Sequence, residues 1–266
     1  PGATAFGWQS GANSERATAL GHLAQADGIR STAVGEAASA VGEQSVAVGN
    51  ESSATGIDAM AMGTQAIANG NSTTTVGGES VATGPGATAY GWRSAANAER
   101  SSALGHLAQA DGVRSTAVGE AANAVGEQSV AIGNESSATG VDAMAIGTQA
   151  VANGNSTTTV GGESVATGPG ATAYGWRSAA NAERSTALGH LATANGLRST
   201  AVGEAAQADG ARAVAIGDGA VAAHDDSVAL GAGATTTRAN QVALGTSSST
   251  YTMPGITSQA SRNAQS

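Results

Sequence analysis

The chain has 266 residues, enough for one or two ordinary domains, yet it holds 39 glycines, 3% aromatics, 12% charged residues and no cysteine. So few bulky side chains exclude an ordinary globular core, while 41% hydrophobic residues, mostly Ala and Val, exclude a disordered low-complexity tail. The net charge of −9 excludes the basic stripe of a nucleic-acid binder. No apolar run approaches the roughly 18–20 residues needed to span a bilayer, so this segment is not expected to insert into a membrane directly.

From the first residues onward the chain is periodic. Glycine recurs at Gly7, Gly21, Gly35 and every fourteenth residue up to Gly245, eighteen times without an insertion. Before each stands one type of triplet, such as Thr32-Ala33-Val34, Val130-Ala131-Ile132 or Val242-Ala243-Leu244. A fixed short period is the mark of a solenoid, each repeat being one unit stacked on the next. At residue 85 the whole pattern restarts. Residues 1–84 and 85–168 differ at only twelve positions, and a third block, 169–250, follows the others until about residue 206. Eighty-four residues are six units of fourteen, so the duplication lengthens a rod and adds no new chemistry.

Within each unit both halves alternate small and larger residues with the strand period of two. The spacing predicts two short strands and two turns per coil. Asp27-Gly28, Asn69-Gly70, Asp111-Gly112 and Asn195-Gly196 are expected to supply the positive φ angles of tight turns. Fourteen residues are too few for a three-sided coil, which takes about eighteen, so a flat two-sheet roll is expected.

In Ser45-Val46-Ala47-Val48-Gly49, the Ser, Ala and Gly share one face and the two valines the other. A two-strand coil is expected to be too thin inside for branched side chains. The small face therefore points inward and the bulky residues point out. The outward row comprises Leu20, Val34, Val48, Met62, Val76, Leu104, Val118, Ile132, Ile146, Leu188, Ile216, Leu230 and Leu244. Burying each is worth about 1.5–3 kcal/mol. A stripe of this kind marks an interface, and an obligate oligomer is expected.

The phrase Ser129-Val130-Ala131-Ile132-Gly133, spaced by fourteen and followed by small residues, closely resembles the head repeat of YadA-like trimeric autotransporter adhesins. The resemblance covers residues 1 to about 250. It implies an all-β, left-handed parallel β-roll of about eighteen 14-residue coils, assembled as a homotrimer with the outward row at the trimer axis. At ~4.7–4.8 Å per coil such a rod is ~85 Å long. Thr32 and Thr116, at the first bulky position, imply a wetter centre than the family pattern.

The ending, Ser249 to Thr257, is similar to segments leaving the head in such adhesins, particularly those of Burkholderia. Pro254-Gly255 is expected to break the roll, with 251–266 leading towards a neck or stalk. The implied function is attachment of a bacterium to host cells or extracellular matrix. The implied partners are the chain itself and a host surface or matrix protein. The implied place is the bacterial surface, with outer-membrane anchoring by a C-terminal region outside this fragment. A spacer rod projecting another binding domain is the second reading. An ice-binding solenoid is the third, though Thr-x-hydrophobic prevails and Thr73-Thr74-Thr75 and Thr157-Thr158-Thr159 are isolated.

Candidate chemistry is sparse. His22, His106 and His190 recur with the block, ~28 Å apart at strand spacing, and cannot share a metal within one chain. They are expected to be solvent-exposed, and neither a metal nor a cofactor is expected. Trp8, Trp92 and Trp176, with Gln9, Arg93 and Arg177 beside them, are the candidate ligand contacts, because Trp and Arg are enriched in binding hot spots. The alternative is a Trp packed over a turn and stacked on Arg. Glu15-Arg16, Glu99-Arg100 and Glu183-Arg184 are expected to be surface charges of little weight. No Ser-His-Asp set, no isolated carboxylate pair and no lysine is present, so an enzyme is not expected.

Overall fold

A fourteen-residue unit with two short alternating segments can hide its small face only against itself. It must fold back after each segment. The computed structural model, which describes residues 1–253, shows this in sixteen of the eighteen units. Around Gly133, Val130–Ile132 is a three-residue strand and Ser137–Ala138 a two-residue strand. The turns between them close with hydrogen bonds from Ser129 N–H to the Gly126 carbonyl (3.1 Å) and from Ser136 N–H to the Gly133 carbonyl (3.3 Å).

Successive coils stack in parallel and in register, Val118 beside Ile132 and Ile132 beside Ile146. The three-residue strands form one eighteen-stranded sheet, from Thr4–Phe6 to Val242–Leu244. The two-residue strands form a second, sixteen-stranded sheet, from Gly11–Ala12 to Val221–Ala222, and Val221 bridges onward to Thr235. The molecule is an all-β parallel solenoid of about seventeen turns, one fewer than the glycine register suggests, because the two-residue face stops short.

The interior between the sheets is made of small side chains. Ala131 and Ala138 are fully buried, as are Ser129 and Ser136. One expectation is corrected here. Thr73, Thr75, Thr157 and Thr159 are also fully enclosed, so the interior does admit β-branched residues. Thr75 fits because the rungs on either side of it, Ala61 and Ala89, are alanines. Its hydroxyl donates to the Met60 carbonyl (3.3 Å), and that of Thr73 to the Gly70 carbonyl (2.7 Å), so neither is left unsatisfied.

The turn chemistry is corrected as well. Gly28, Gly70, Gly112 and Gly196 do not have positive φ. The left-handed residues lie two positions later, and thirty of them are not glycine, with φ between 49° and 59°. Each costs about 1–2 kcal/mol. The ladder offsets this, because the left-handed turn aims its N–H along the stacking axis. Gln128 N–H reaches the Val113 carbonyl and Glu135 N–H the Glu120 carbonyl, both at 2.8 Å. Glycine in this turn is needed for a different reason. A Cβ on Gly126 would run into the Gly140 carbonyl of the next coil.

The expected exit segment, 251–266, is described only as far as Met253, and the Pro254-Gly255 break lies outside the described residues. Within the described part, the Tyr251 hydroxyl donates to the Leu244 carbonyl and ties the chain back to the last coil.

Candidate interaction surface

Alternation within the three-residue strands leaves two columns of side chains on the outer face of the eighteen-stranded sheet. The second column holds the outward row. Leu20, Met62, Leu104, Ile132, Leu188, Ile216, Leu230 and Leu244 are exposed, Ile132 to 38%. Val34, Val48, Val76, Val118 and Ile146 are half-buried by their column neighbours. Phe6, Tyr90, Val160, Tyr174 and Val202 complete the column and were passed over, although triplets such as Thr88-Ala89-Tyr90 carry the same spacing. Tyr90 and Tyr174 are among its most exposed members. The first column holds Thr, Val and Met, such as Thr32, Val46 and Met60. Thr74 and Thr158 point outward while their Thr neighbours point in, so neither of these triplets presents a Thr-x-Thr pair to solvent.

The candidate ligand contacts sit on the edge where the three-residue strand turns. Fourteen-residue register places residue i directly below residue i+14, at strand spacing. Ring faces can then stack from coil to coil. Trp92 stacks on His106 with centroids 5.0 Å apart and planes 22° apart. His106 Nδ1 lies 3.3 Å from Glu120 Oε1. Trp8–His22–Glu36 and Trp176–His190–Glu204 repeat the ladder.

The Arg93 guanidinium lies over the Trp92 ring at 5.2 Å and its Nε is 3.4 Å from Glu79 Oε2. Arg177 does the same with Trp176 and Glu163. Glu79 belongs to the preceding coil and His106 to the following one, so the Trp92–Arg93 pair is held from both sides. Gly78 makes room for it, since a Cβ there would sit 3.2 Å from Trp92 Cδ1. Even so, Trp92 and Trp176 are each 47% exposed, and Trp8, flanked by Gln9, is 65% exposed. The stacking of Trp on Arg is therefore present at two of the three sites. The histidines are partly exposed, but each is engaged on both sides. The fourteen-residue offsets from Trp8 to His22 to Glu36 carried that signal in the sequence.

Exposed ion pairs of this kind are worth about 0–1 kcal/mol each. Arg100 and Arg184 lie 3.7 Å from Glu99 and Glu183, consistent with minor surface pairing. One pair is better formed. Arg212 donates twice to Asp226, from Nε and Nη2, and this hydrogen bonding holds the Asp226 carboxyl below its ordinary value of 3.8.

The opposite face, on the two-residue strands, is mixed, with Gln109, Asn123 and Ser137 on some rungs and Ile67, Val81 and Val151 on others, and the turn beyond it is polar. Asn97 donates to Asp111 at 2.7 Å, and Asn181, Asn195 and Asp209 form a chain of 2.8 Å bonds. Among the described residues no group of three or more His, Asp or Glu side chains could hold a metal ion. No helix among them is long and apolar enough to cross a membrane. The arrangement offers contact surfaces, an apolar stripe and aromatic–cation corners, repeated along one axis.

Comparison with known proteins agrees with this periodicity. The family described as YadA head domain repeat (2 copies) matches in fourteen segments that run from 1–24 to 225–248. No curated protein matches. Among solved structures, the crystal structure of the collagen-binding domain of Yersinia adhesin YadA is 29% identical over 59% of this chain and 86% of that one, with a TM-score of 0.43.

Proposed function

The chain belongs to the YadA head-repeat family, a family of cell-surface adhesins, and we propose that it is the trimeric head through which a bacterium attaches to host cells or extracellular matrix. The single observation that supports this reading most is the apolar column on the eighteen-stranded sheet. It runs the length of the rod, and Ile132, Leu104 and Leu230 in it are exposed to water. Three copies meeting along that column would remove it from water and present the opposite face and the turn edges outward. In this reading the outer membrane holds the assembly through a C-terminal region beyond this segment. Trp8, Trp92 and Trp176, with Arg93 and Arg177, are the proposed host contacts.

Block repetition fits weak, multiplied contact. A site present in three blocks of three chains has about nine copies on one rod, and linked sites gain affinity through effective concentration. The test is adhesion of the purified protein to collagen, fibronectin, laminin and cultured cells. Binding to at least one, reduced by changing Trp8, Trp92 and Trp176 together to Ala, is expected. The same repetition favours a second reading, a spacer rod carrying another binding domain. Failure of the folded protein to bind any of these surfaces selects it.

A further inference from the structure

The cations of the chain gather on one edge of the rod, the turn that enters each three-residue strand. Seven of the eleven stand there, at the left-handed position two residues before the strand, as Arg30 stands before Thr32–Val34. At the far end of the same rung, two residues after Val34, is Glu36. Arg114 and Glu120 flank Thr116–Val118 in the same way, and Arg198 and Glu204 flank Thr200–Val202. All six are exposed, and the strand holds each cation away from its carboxylate within one chain. Among the described residues Arg30, Arg114 and Arg198 make no ion pair. Glu120 and Glu204 touch a histidine through Oε1 alone and keep Oε2 free, and Glu36 adds only a 3.4 Å bond from Asn50 Nδ2.

The third block changes both ends of one rung together. Gln44 and Asn50 flank Val46–Val48, and Gln128 and Asn134 flank Val130–Ile132, neutral at both ends. At the corresponding rung of the third block, Arg212 and Asp218 flank Val214–Ile216. The two ends become opposite charges, although no hydrogen bond or ion pair joins them within the chain. Where the entering position is acidic instead, at Asp58, Asp142 and Asp226, the far end is Thr64, Thr148 or Ala232. Ends that change together without touching in one chain point to a contact between chains.

We infer, on the reading that three copies meet along the apolar column, that the partner of each edge is the other edge of a second copy. Arg30, Arg114, Arg198 and Arg212 of each chain pair with the partner subunit's Glu36, Glu120, Glu204 and Asp218. With the eighteen-stranded sheet turned to a threefold axis, its strands lie across that axis, all in one direction. A third of a turn carries the end of one chain's strand to the start of the next chain's. A closed ring of identical chains allows no shift along the axis, so each rung meets the same rung of its neighbour. Arg212 already donates to Asp226 from Nε and Nη2, and its Nη1 remains for a second carboxylate. Trp8, Trp92 and Trp176 stand on rungs that begin with Gly2, Gly86 and Gly170, so the ladder is interrupted at the proposed host contacts. Opposite charges at fixed rungs govern which chains assemble together more than they add affinity.

The test exchanges the charges. Changing Arg30, Arg114 and Arg198 to Glu, or Glu36, Glu120 and Glu204 to Arg, sets like charges against each other at every boundary. Either set is expected to weaken assembly at least about tenfold by sedimentation, as several exposed pairs are lost together. A chain carrying both sets is expected to assemble like wild type, a recovery that contacts within one chain cannot supply. Reversing Arg16, Arg100 and Arg184, one rung away, together with the Glu set is expected to give no recovery. Wild type and an isotope-labelled, doubly reversed chain are then unfolded, mixed and refolded, and their trimers are weighed by native mass spectrometry. Separate homotrimers are expected, because a mixed trimer sets Glu against Glu at one boundary and Arg against Arg at another. Mixing in statistical proportions, or no recovery in the doubly reversed chain, overturns the inference. If a singly reversed chain fails to fold, the sorting still decides it. A folded wild-type monomer removes the trimer reading and this inference with it, whereas a wild-type trimer that mixes freely with the reversed chain removes this inference alone.

Discussion

Ile132 and Ser137 are five residues apart in one coil, yet they face opposite sides of the rod. Their backbones have the same strand geometry and the same ladder spacing. What differs is the column each belongs to. Ile132 stands among Val118 and Ile146, and Ser137 between Asn123 and Val151. The column of Ile132 is apolar along its length, whereas that of Ser137 changes character every few rungs. Uniformity serves a contact that must run the whole rod, and variation serves contacts that are local. The two faces therefore differ in the kind of contact each can offer.

That contrast can be broken most forcefully by placing one charge on each face. Ile132→Asp is expected to disperse the proposed trimer at micromolar concentration, because buried and unpaired carboxylates cost several kcal/mol, on the order of 2–7 kcal/mol even for a neutral polar group. Ser137→Asp is expected to leave assembly and melting unchanged. Sedimentation velocity and thermal melts on both variants decide it, and equal behaviour of the two removes the distinction between the faces.

The interior that both faces share is the next most sensitive place. Ala131→Leu is expected to destabilise by about 1–3 kcal/mol through overpacking, read from thermal or denaturant melts. Thr159→Ala takes away a methyl and a hydroxyl already bonded to the Met144 carbonyl, and a loss of about 1 kcal/mol is expected. If Ala131→Leu melts like wild type, the interior is looser than its fully buried alanines indicate.

The edge between the faces has a smaller effect on stability. Trp92→Ala, which removes the stacking on His106 and Arg93, is expected to cost about 1 kcal/mol, measured the same way. The smallest effect belongs to Asp226. Its carboxyl is held below 3.8 by hydrogen bonds from Arg212, so its contribution is present above that value and fades as pH falls through the lowered one. Arg212→Gln is expected to remove this acid-side dependence in the last coils, seen as loss of a pH-dependent change in their amide exchange.

The stacking of the coils was legible because the period is free of insertions. Eighteen in-register glycines and triplets such as Val130-Ala131-Ile132 fix both the strand and the side that faces inward. The turns were misread for a physical reason. A glycine suggests positive φ, but Gly126 is there because no Cβ fits against the next coil, while Gln128 bears the left-handed angle and is rewarded by a ladder hydrogen bond. The buried Thr75 was missed because whether it fits depends on Ala61 and Ala89, residues fourteen away in each direction. The Trp92–His106–Glu120 ladder was hidden by the same offset. Reading the chain in columns of fourteen, instead of along its length, exposes all three.

What covers the apolar column decides whether the chain works alone or as an assembly. Sedimentation equilibrium of the purified chain at the lowest detectable concentration measures this directly. The expected result is a single folded species of about three times the 25.4 kDa chain mass. A stable, folded species of 25.4 kDa, with Ile132 and its column open to water, contradicts it.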